Sequence, residues 1–244
     1  MTLRVEKQSD RIVATLDRPE KRNAIDAHTI DALHALCAEL EEAPRTLIVT
    51  GGGGVFAAGA DIAELRDRYA ADARRGINAT AFIRVRELPM PVIAAIDGYA
   101  LGGGAELAYA ADIRIGSQGL RIGNPEPGLG IMAAAGATWR LPQIVGDARA
   151  CELLLTGRIL DAEEALAWGL VSSLHPADEL LAAAHSIADR IAASDPLAVQ
   201  HTKRALRARP EDHPAIEFEL QAELFESPEK LRRMTDFLER RAHR

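Results

Sequence analysis

From Gly98 to Ala111 the chain reads GYALGGGAELAYAA, and its only ionisable acid or base, besides two weakly acidic tyrosines, is Glu106. From Ile122 to Trp139, IGNPEPGLGIMAAAGATW, the only one is Glu126. Stretches this long and this apolar are buried on folding, so the fold has to carry two carboxylates inward with them. Loss of water disfavours the charged form of a carboxylate and raises its pKa toward neutrality. A general acid or base needs that tuning. For either glutamate alone, the polar end of a surface turn is an equally good reading; two of them, each beside glycine-rich backbone, point to chemistry.

The rest of the composition narrows the field. With 244 residues, 48% of them hydrophobic, the chain can build one large domain or one and a half. A formal net charge of −7 spread along the chain, with no basic stripe, argues against a nucleic-acid partner. Cys37 and Cys151 match no CxxC or metal-ligand spacing and suggest no disulfide framework, so a reduced, cytoplasmic setting is expected. The N-terminus MTLRVEKQSDRIVATLDRP has charges where a signal peptide needs an apolar core, and no apolar run is long enough to span a membrane.

Short apolar runs alternate with helical stretches through the first part of the chain. Leu3 to Lys7 and Ile12 to Leu16 read as strands joined by a turn, and TLIVT (Thr46 to Thr50) and VIAAI (Val92 to Ile96) read as buried strands. Asp26 caps a predicted helix that runs to about Ala43 and is stopped by Pro44, and a second helix follows Asp61. This alternation predicts an α/β fold with a mostly parallel sheet. From about Asp147 onward the pattern is helical almost throughout, and the division between an αβ core (1–190) and a helical C-terminal part (191–244) is placed near residue 190. The last amphipathic stretch, Pro228 to Arg241, sets Leu231, Met234, Phe237 and Leu238 at helical spacing, an apolar stripe that needs a partner. The chain has no internal sequence repeat.

Three glycine-bearing segments surround the glutamates. GGGGVFA (Gly51 to Ala57) satisfies only the loosest dinucleotide fingerprint: the following helix starts late, at Asp61, and no acidic residue ends a suitable second strand. No Walker lysine, G-x-S-x-G elbow or H-E-x-x-H pair is present. His28, His34, His175, His185, His201, His213 and His243 stand in mainly helical, polar contexts, which predicts exposure for most of them. In FAAGADIAEL, Asp61 with Glu64 reads as a variant capping box, and the tight turn before it leaves the amide of Ala60 free to point outward. Gly102-Gly103-Gly104 lies where the strand VIAAI has ended and the helix AELAYAA begins; a helix N-terminus offers unpaired N–H groups, and glycine lets a ligand approach them. Two such amides, one from each segment, can hold one oxygen as it turns negative.

The string IAAIDGYALGGGAELAYAADIRI, with FAAGADI upstream and GNPEPGLG downstream, resembles the crotonase superfamily of enoyl-CoA hydratases and isomerases. The resemblance covers nearly the whole chain, from RPEKRNAID to ELFESPEKLRRMTDFLERR, with several motifs in the family's order. It implies a spiral of ββα turns, an acyl-CoA site in residues 1–190, a C-terminal part that assembles a homotrimer or homohexamer, and no cofactor beyond the coenzyme A of the substrate itself. It implies an oxyanion hole made by the N–H groups of Ala60 and Gly103, and acid/base work by Glu106 and Glu126. It also places Ala58, Asp61, Ile62 and Gly102 against the substrate, Lys21 or Arg22 at the phosphates, and the backbone around Asn23 and Ala24 at the adenine. A solvated basic turn is the competing reading for Lys21 and Arg22.

The chain departs from the family pattern in places. Ala63 stands where a phosphate-reaching lysine is common, Met132 to Ala135 replace a frequent Pro-Gly turn, and Trp139 replaces a frequent glutamine. Pro125 and Pro127 flank Glu126 and predict extended backbone at Asn124 and Glu126. Within the resemblance, hydration of a 2-enoyl-CoA is the activity that uses both glutamates. A double-bond isomerase needs only one, another CoA lyase or hydrolase stays open, and a silent acyl-CoA-binding regulator would be expected to have lost one or both.

Overall fold

The buried apolar runs become the strands of a computed structural model, which describes residues 2–242. In chain order it has β1 (Leu3–Lys7), β2 (Arg11–Leu16), α1 (Ala27–Glu42), β3 (Thr46–Gly51), α2 (Ile62–Arg66), α3 (Ala70–Arg75), α4 (Ile77–Glu87), β4 (Val92–Ile96), β5 (Tyr99–Leu101) and α5 (Gly103–Ala110). There follow β6 (Ile113–Ser117), β7 (Arg121–Gly123), α6 (Ala137–Val145), α7 (Asp147–Thr156), β8 (Ile159–Asp161), α8 (Ala162–Ala167), β9 (Leu174–His175), α9 (Leu180–Ala192), α10 (Pro196–Leu206), α11 (Ala215–Phe225) and α12 (Pro228–Ala242). Among the described residues no helix is long and apolar enough to cross a membrane.

The larger sheet runs β1-β2-β3-β4-β6-β9; β1 and β2 form the expected antiparallel hairpin and every later pair is parallel. A smaller sheet, β5-β7-β8, stands beside it. Each turn of chain leaves a strand of the large sheet, makes a short extended stretch and enters a helix. The unit recurs as β2, the bridge at Ile25 and α1; as β3, the bridge at Ala57 and α2; as β4, β5 and α5; and as β6, β7 and, after a 3₁₀ turn, α6. This is a repeat of topology without a repeat of sequence, since burial requires only that each turn present apolar faces to the next. The turns are tied at their short stretches, where Ala57 N–H donates to Tyr99 O, Leu101 N–H to Ala57 O and Gly102 N–H to Gly123 O. The ladder stacks the three strand-to-helix junctions that follow Ala57, Leu101 and Gly123.

Helix α5 is central, with every one of its residues buried. Gly104 explains how closely it packs: a Cβ there would stand 2.3 Å from the carbonyl oxygen of Ala57. Asp26 caps α1 as expected, its carboxylate accepting from the Thr29 amide at 2.8 Å.

Some expectations are corrected. The region beyond Asp147 is not uniformly helical: β8 joins the small sheet and β9 the large one, both too short to show a period-two pattern in sequence. Chain contacts divide the molecule into two compact units between Ala188 and Asp189, so the last turn of α9 falls with the second. Of the described histidines only His28 and His213 are exposed; His201 is buried with its Nε2 2.8 Å from a Glu223 carboxylate oxygen. His243 lies outside the described residues.

Candidate active site

The stacked junctions face a cavity of about 800 Å³. Its wall includes Ala58, Ala60, Ile62, Gly102, Gly103, Glu106 and Glu126, and so gathers most of the candidates from three turns of the spiral. Among the described residues neither the amide of Ala60 nor that of Gly103 donates a hydrogen bond. Gly103 opens α5, where the first N–H groups have no intrahelical acceptor. A Cβ built on Gly103 would stand 3.5 Å from the Ala60 nitrogen without striking the backbone, so a side chain there would fill ligand space rather than break the fold. Gly102 is glycine for another reason: its φ of 52° and ψ of −123° lie outside the range of other residues, and a Cβ would come within 3.0 Å of Glu126 Oε1.

Glu106 sits in the first turns of α5, 4% exposed. Its Oε1 accepts from the amides of Ala135 (2.7 Å) and Ala137 (3.1 Å), the latter the first N–H of α6. Burial is the largest influence and raises its pKa from 4.5 to about 7; the two amides oppose this and the charge of Glu126 adds to it. Glu126, 8% exposed, is also raised, by burial above all. It has much weaker support: Oε1 takes one long bond from Asn124 Nδ2 at 3.4 Å, and Oε2 is buried with no partner among the described residues. Asn124 is itself fully buried and accepts from the hydroxyl of Tyr109 at 3.0 Å. Tyr109 therefore packs, as expected, and also anchors the residue that holds Glu126.

The backbone at Glu126 is a correction. Instead of being extended, Glu126 begins a 3₁₀ turn (Glu126–Leu129) closed by left-handed Gly130, whose amide donates to Pro127 O. Glycine at the end of the turn and the bond from Ile131 N–H to Glu126 O outweigh the local preference of a residue before proline.

Lys21, Arg22, Asn23, Ala24 and Asp61 are absent from the cavity wall. Asn23 is a structural clip, 2% exposed: Nδ2 donates to Gly52 O (2.9 Å) and Val55 O (2.6 Å), and Oδ1 accepts from the Arg18 amide (2.9 Å). Ala24 has its amide bonded to Lys21 O and its carbonyl to Arg18 Nη1. Asp61 does cap α2, accepting from the Ala63 amide, and lies 3.4 Å from Arg18. The capping box is not completed, because Glu64 reaches instead to the amide of Ala27 at the start of α1. Lys21 and Arg22 are exposed, and the Arg22 carbonyl accepts from the amide of Ala58 on the cavity wall.

Sequence reasoning missed Ala135, Ala137, Asn124 and Asn78 as site residues. The two alanines act through backbone, which no side-chain pattern reveals. Asn124 lay within the quoted GNPEPGLG, next to a proline, where asparagine reads as turn chemistry.

Two free amides thus stand on the wall of one cavity with two buried carboxylates of raised pKa. The chain belongs to the enoyl-CoA hydratase/isomerase family, whose model matches residues 6–244. It is 38% identical over 246 residues to the short-chain-enoyl-CoA hydratase of Clostridium acetobutylicum, an alignment covering 97% of this chain and 94% of that protein. It is 35% identical over 246 residues to a crotonyl-CoA hydratase of Syntrophomonas wolfei, covering 97% and 95%. An enoyl-CoA hydratase crystal structure from Bacillus anthracis superposes with a TM-score of 0.93 at 32% identity, covering 98% of this chain and 97% of that one. The architecture is the crotonase fold.

Proposed function

We propose that this protein is an enoyl-CoA hydratase, adding water reversibly and syn across the C2=C3 bond of a 2-enoyl-CoA thioester to give the 3-hydroxyacyl-CoA. One observation carries the reading: both buried carboxylates border the same cavity as the two undonated amides, and their surroundings differ. In this reading the amides of Ala60 and Gly103 hold the thioester oxygen as negative charge builds on it, each donor contributing roughly 3–4 kcal/mol. Glu106, with two amides on one oxygen supporting its anion, positions water and takes its proton as oxygen bonds to C3. Glu126 delivers the proton to C2, the two carboxylates working as one unit. Each positioned acid or base contributes about 10²–10⁴-fold.

Exposed Lys21 and Arg22, joined to the cavity rim through Ala58, are the cations we assign to the coenzyme A phosphates. Leu231, Met234, Phe237 and Leu238 of α12 are each more than half exposed. That uncovered apolar stripe supports assembly as a homotrimer or homohexamer.

The test is steady-state kinetics on crotonyl-CoA with products identified by mass and chirality. Glu106→Gln and Glu126→Gln should each lower kcat by roughly 10²-fold or more with little change in acyl-CoA affinity. Full activity in Glu106→Gln, or conversion only of 3-enoyl-CoA, would reject hydration in favour of isomerisation.

A further inference from the structure

Of the polar side chains on the cavity wall other than the two glutamates, Arg68 pairs with Glu64, Asp72 accepts from the amide of Tyr69 and Tyr69 itself is exposed, which leaves Asn78 as the one without a bond to the fold among the described residues. Asn78 stands near the start of α4, where asparagine ordinarily caps, yet the N-cap position belongs to Gly76 and no side chain caps this helix. Its Oδ1 is buried without a hydrogen-bond partner, and the carboxamide makes no bond to the fold among the described residues. Its Nδ2 lies 3.5 Å from the point where a Cβ on Gly103 would stand, the same distance as the Ala60 nitrogen. The Ala60 nitrogen and the Asn78 Nδ2 therefore border one small space in front of Gly103.

We propose that Asn78 is a further catalytic residue, whose Nδ2 donates a third hydrogen bond to the thioester oxygen. The inference rests on the oxyanion site proposed above. The side chain neither caps nor braces the fold, and its Nδ2 stands as close to the space in front of Gly103 as the Ala60 nitrogen does, so a ligand oxygen seated there finds a side-chain donor beside the backbone one. With neither end tied down, the carboxamide turns about χ2 to present whichever end the ligand requires, and a developing oxyanion takes the NH₂ end. A donor of this kind acts more strongly as charge builds than on the resting thioester, so its loss falls mainly on kcat.

The experiment compares wild type with Asn78→Leu, similar in size without polar atoms, with Asn78→Ala, and with Asn78→Asp, which keeps the acceptor and loses the donor. Two readouts are taken on variants whose circular dichroism and melting match wild type. One is the kinetics of crotonyl-CoA hydration. The other is the carbonyl stretch of enzyme-bound [1-¹³C]butyryl-CoA, an unreactive thioester, by isotope-edited infrared spectroscopy. Expected are a kcat lower by roughly 10²-fold in all three variants with KM changed far less, and a carbonyl band moved back toward its frequency in free solution. A wild-type kcat and carbonyl band in Asn78→Leu or Asn78→Ala would overturn the proposal. Retention of both in Asn78→Asp would also overturn it, since the residue would then act as an acceptor. If wild type hydrates no enoyl-CoA but the band still shifts between wild type and the variants, the hydratase reading fails while the third donor stands.

Discussion

Replacing Glu106 by glutamine should make the protein more stable as it makes it inactive, and the gain should depend on pH. Burial raises the folded-state pKa of Glu106 from 4.5 to about 7, so the folded protein binds this proton more tightly than the unfolded chain does. That contribution to stability is complete below the unfolded value and is lost as pH rises through about 7. At about 1.4 kcal/mol per pKa unit, the ionised carboxylate costs the fold roughly 3 kcal/mol at about pH 8 and under about 1 kcal/mol at about pH 5. Glutamine stays neutral, and its carbonyl can accept from the amides of Ala135 and Ala137 as Glu106 Oε1 does. Glu106→Gln should therefore melt close to wild type at the acid end and gain progressively through neutrality, reaching an advantage of roughly 3 kcal/mol at about pH 8. The assay is thermal or urea unfolding of both proteins at one fixed concentration across that pH range, because assembly makes melting concentration-dependent. Parallel pH profiles, or a variant less stable at the alkaline end, would refute the claim that burial governs this carboxylate.

Gly103→Val should fold, because a Cβ there meets only ordinary contacts in the free protein, and should lose roughly 10²–10³-fold in kcat/KM by filling the space in front of the Ala60 amide. Gly119→Ala, at an exposed turn where the nearest atom lies 3.7 Å away, should leave turnover unchanged; a folded Gly103→Val enzyme keeping more than about a tenth of wild-type kcat/KM would contradict the oxyanion role. Light scattering of wild type at micromolar concentration should report a trimer or hexamer, and paired Leu231→Asp and Phe237→Asp changes on the exposed stripe should shift it toward smaller species. A monodisperse monomer for wild type would count against that role for α12.

The features written into single stretches of chain were legible before folding. The charge-free surroundings of Glu106 and Glu126 announced their burial, since a carboxylate among alanine, leucine and glycine has nowhere wet to go once those neighbours pack. The strands TLIVT and VIAAI, the cap at Asp26 and the late amphipathic helices are local patterns with local causes. What the glutamates rest on is not local. The amides of Ala135 and Ala137 reach Glu106 only because α6 begins against α5, and Asn124, a near neighbour of Glu126 in sequence, is tied from a distance by the hydroxyl of Tyr109 on α5. Tertiary packing likewise made the Asn23 side chain a clip, sent Glu64 to the amide at the start of a neighbouring helix, and brought Asn78 beside Gly103. Burial of a residue type follows from its neighbours in sequence. Which backbone donors meet it there, and hence whether a raised carboxylate serves as base or acid, is decided only when distant turns pack and each polar group takes the partner that tertiary geometry leaves within reach.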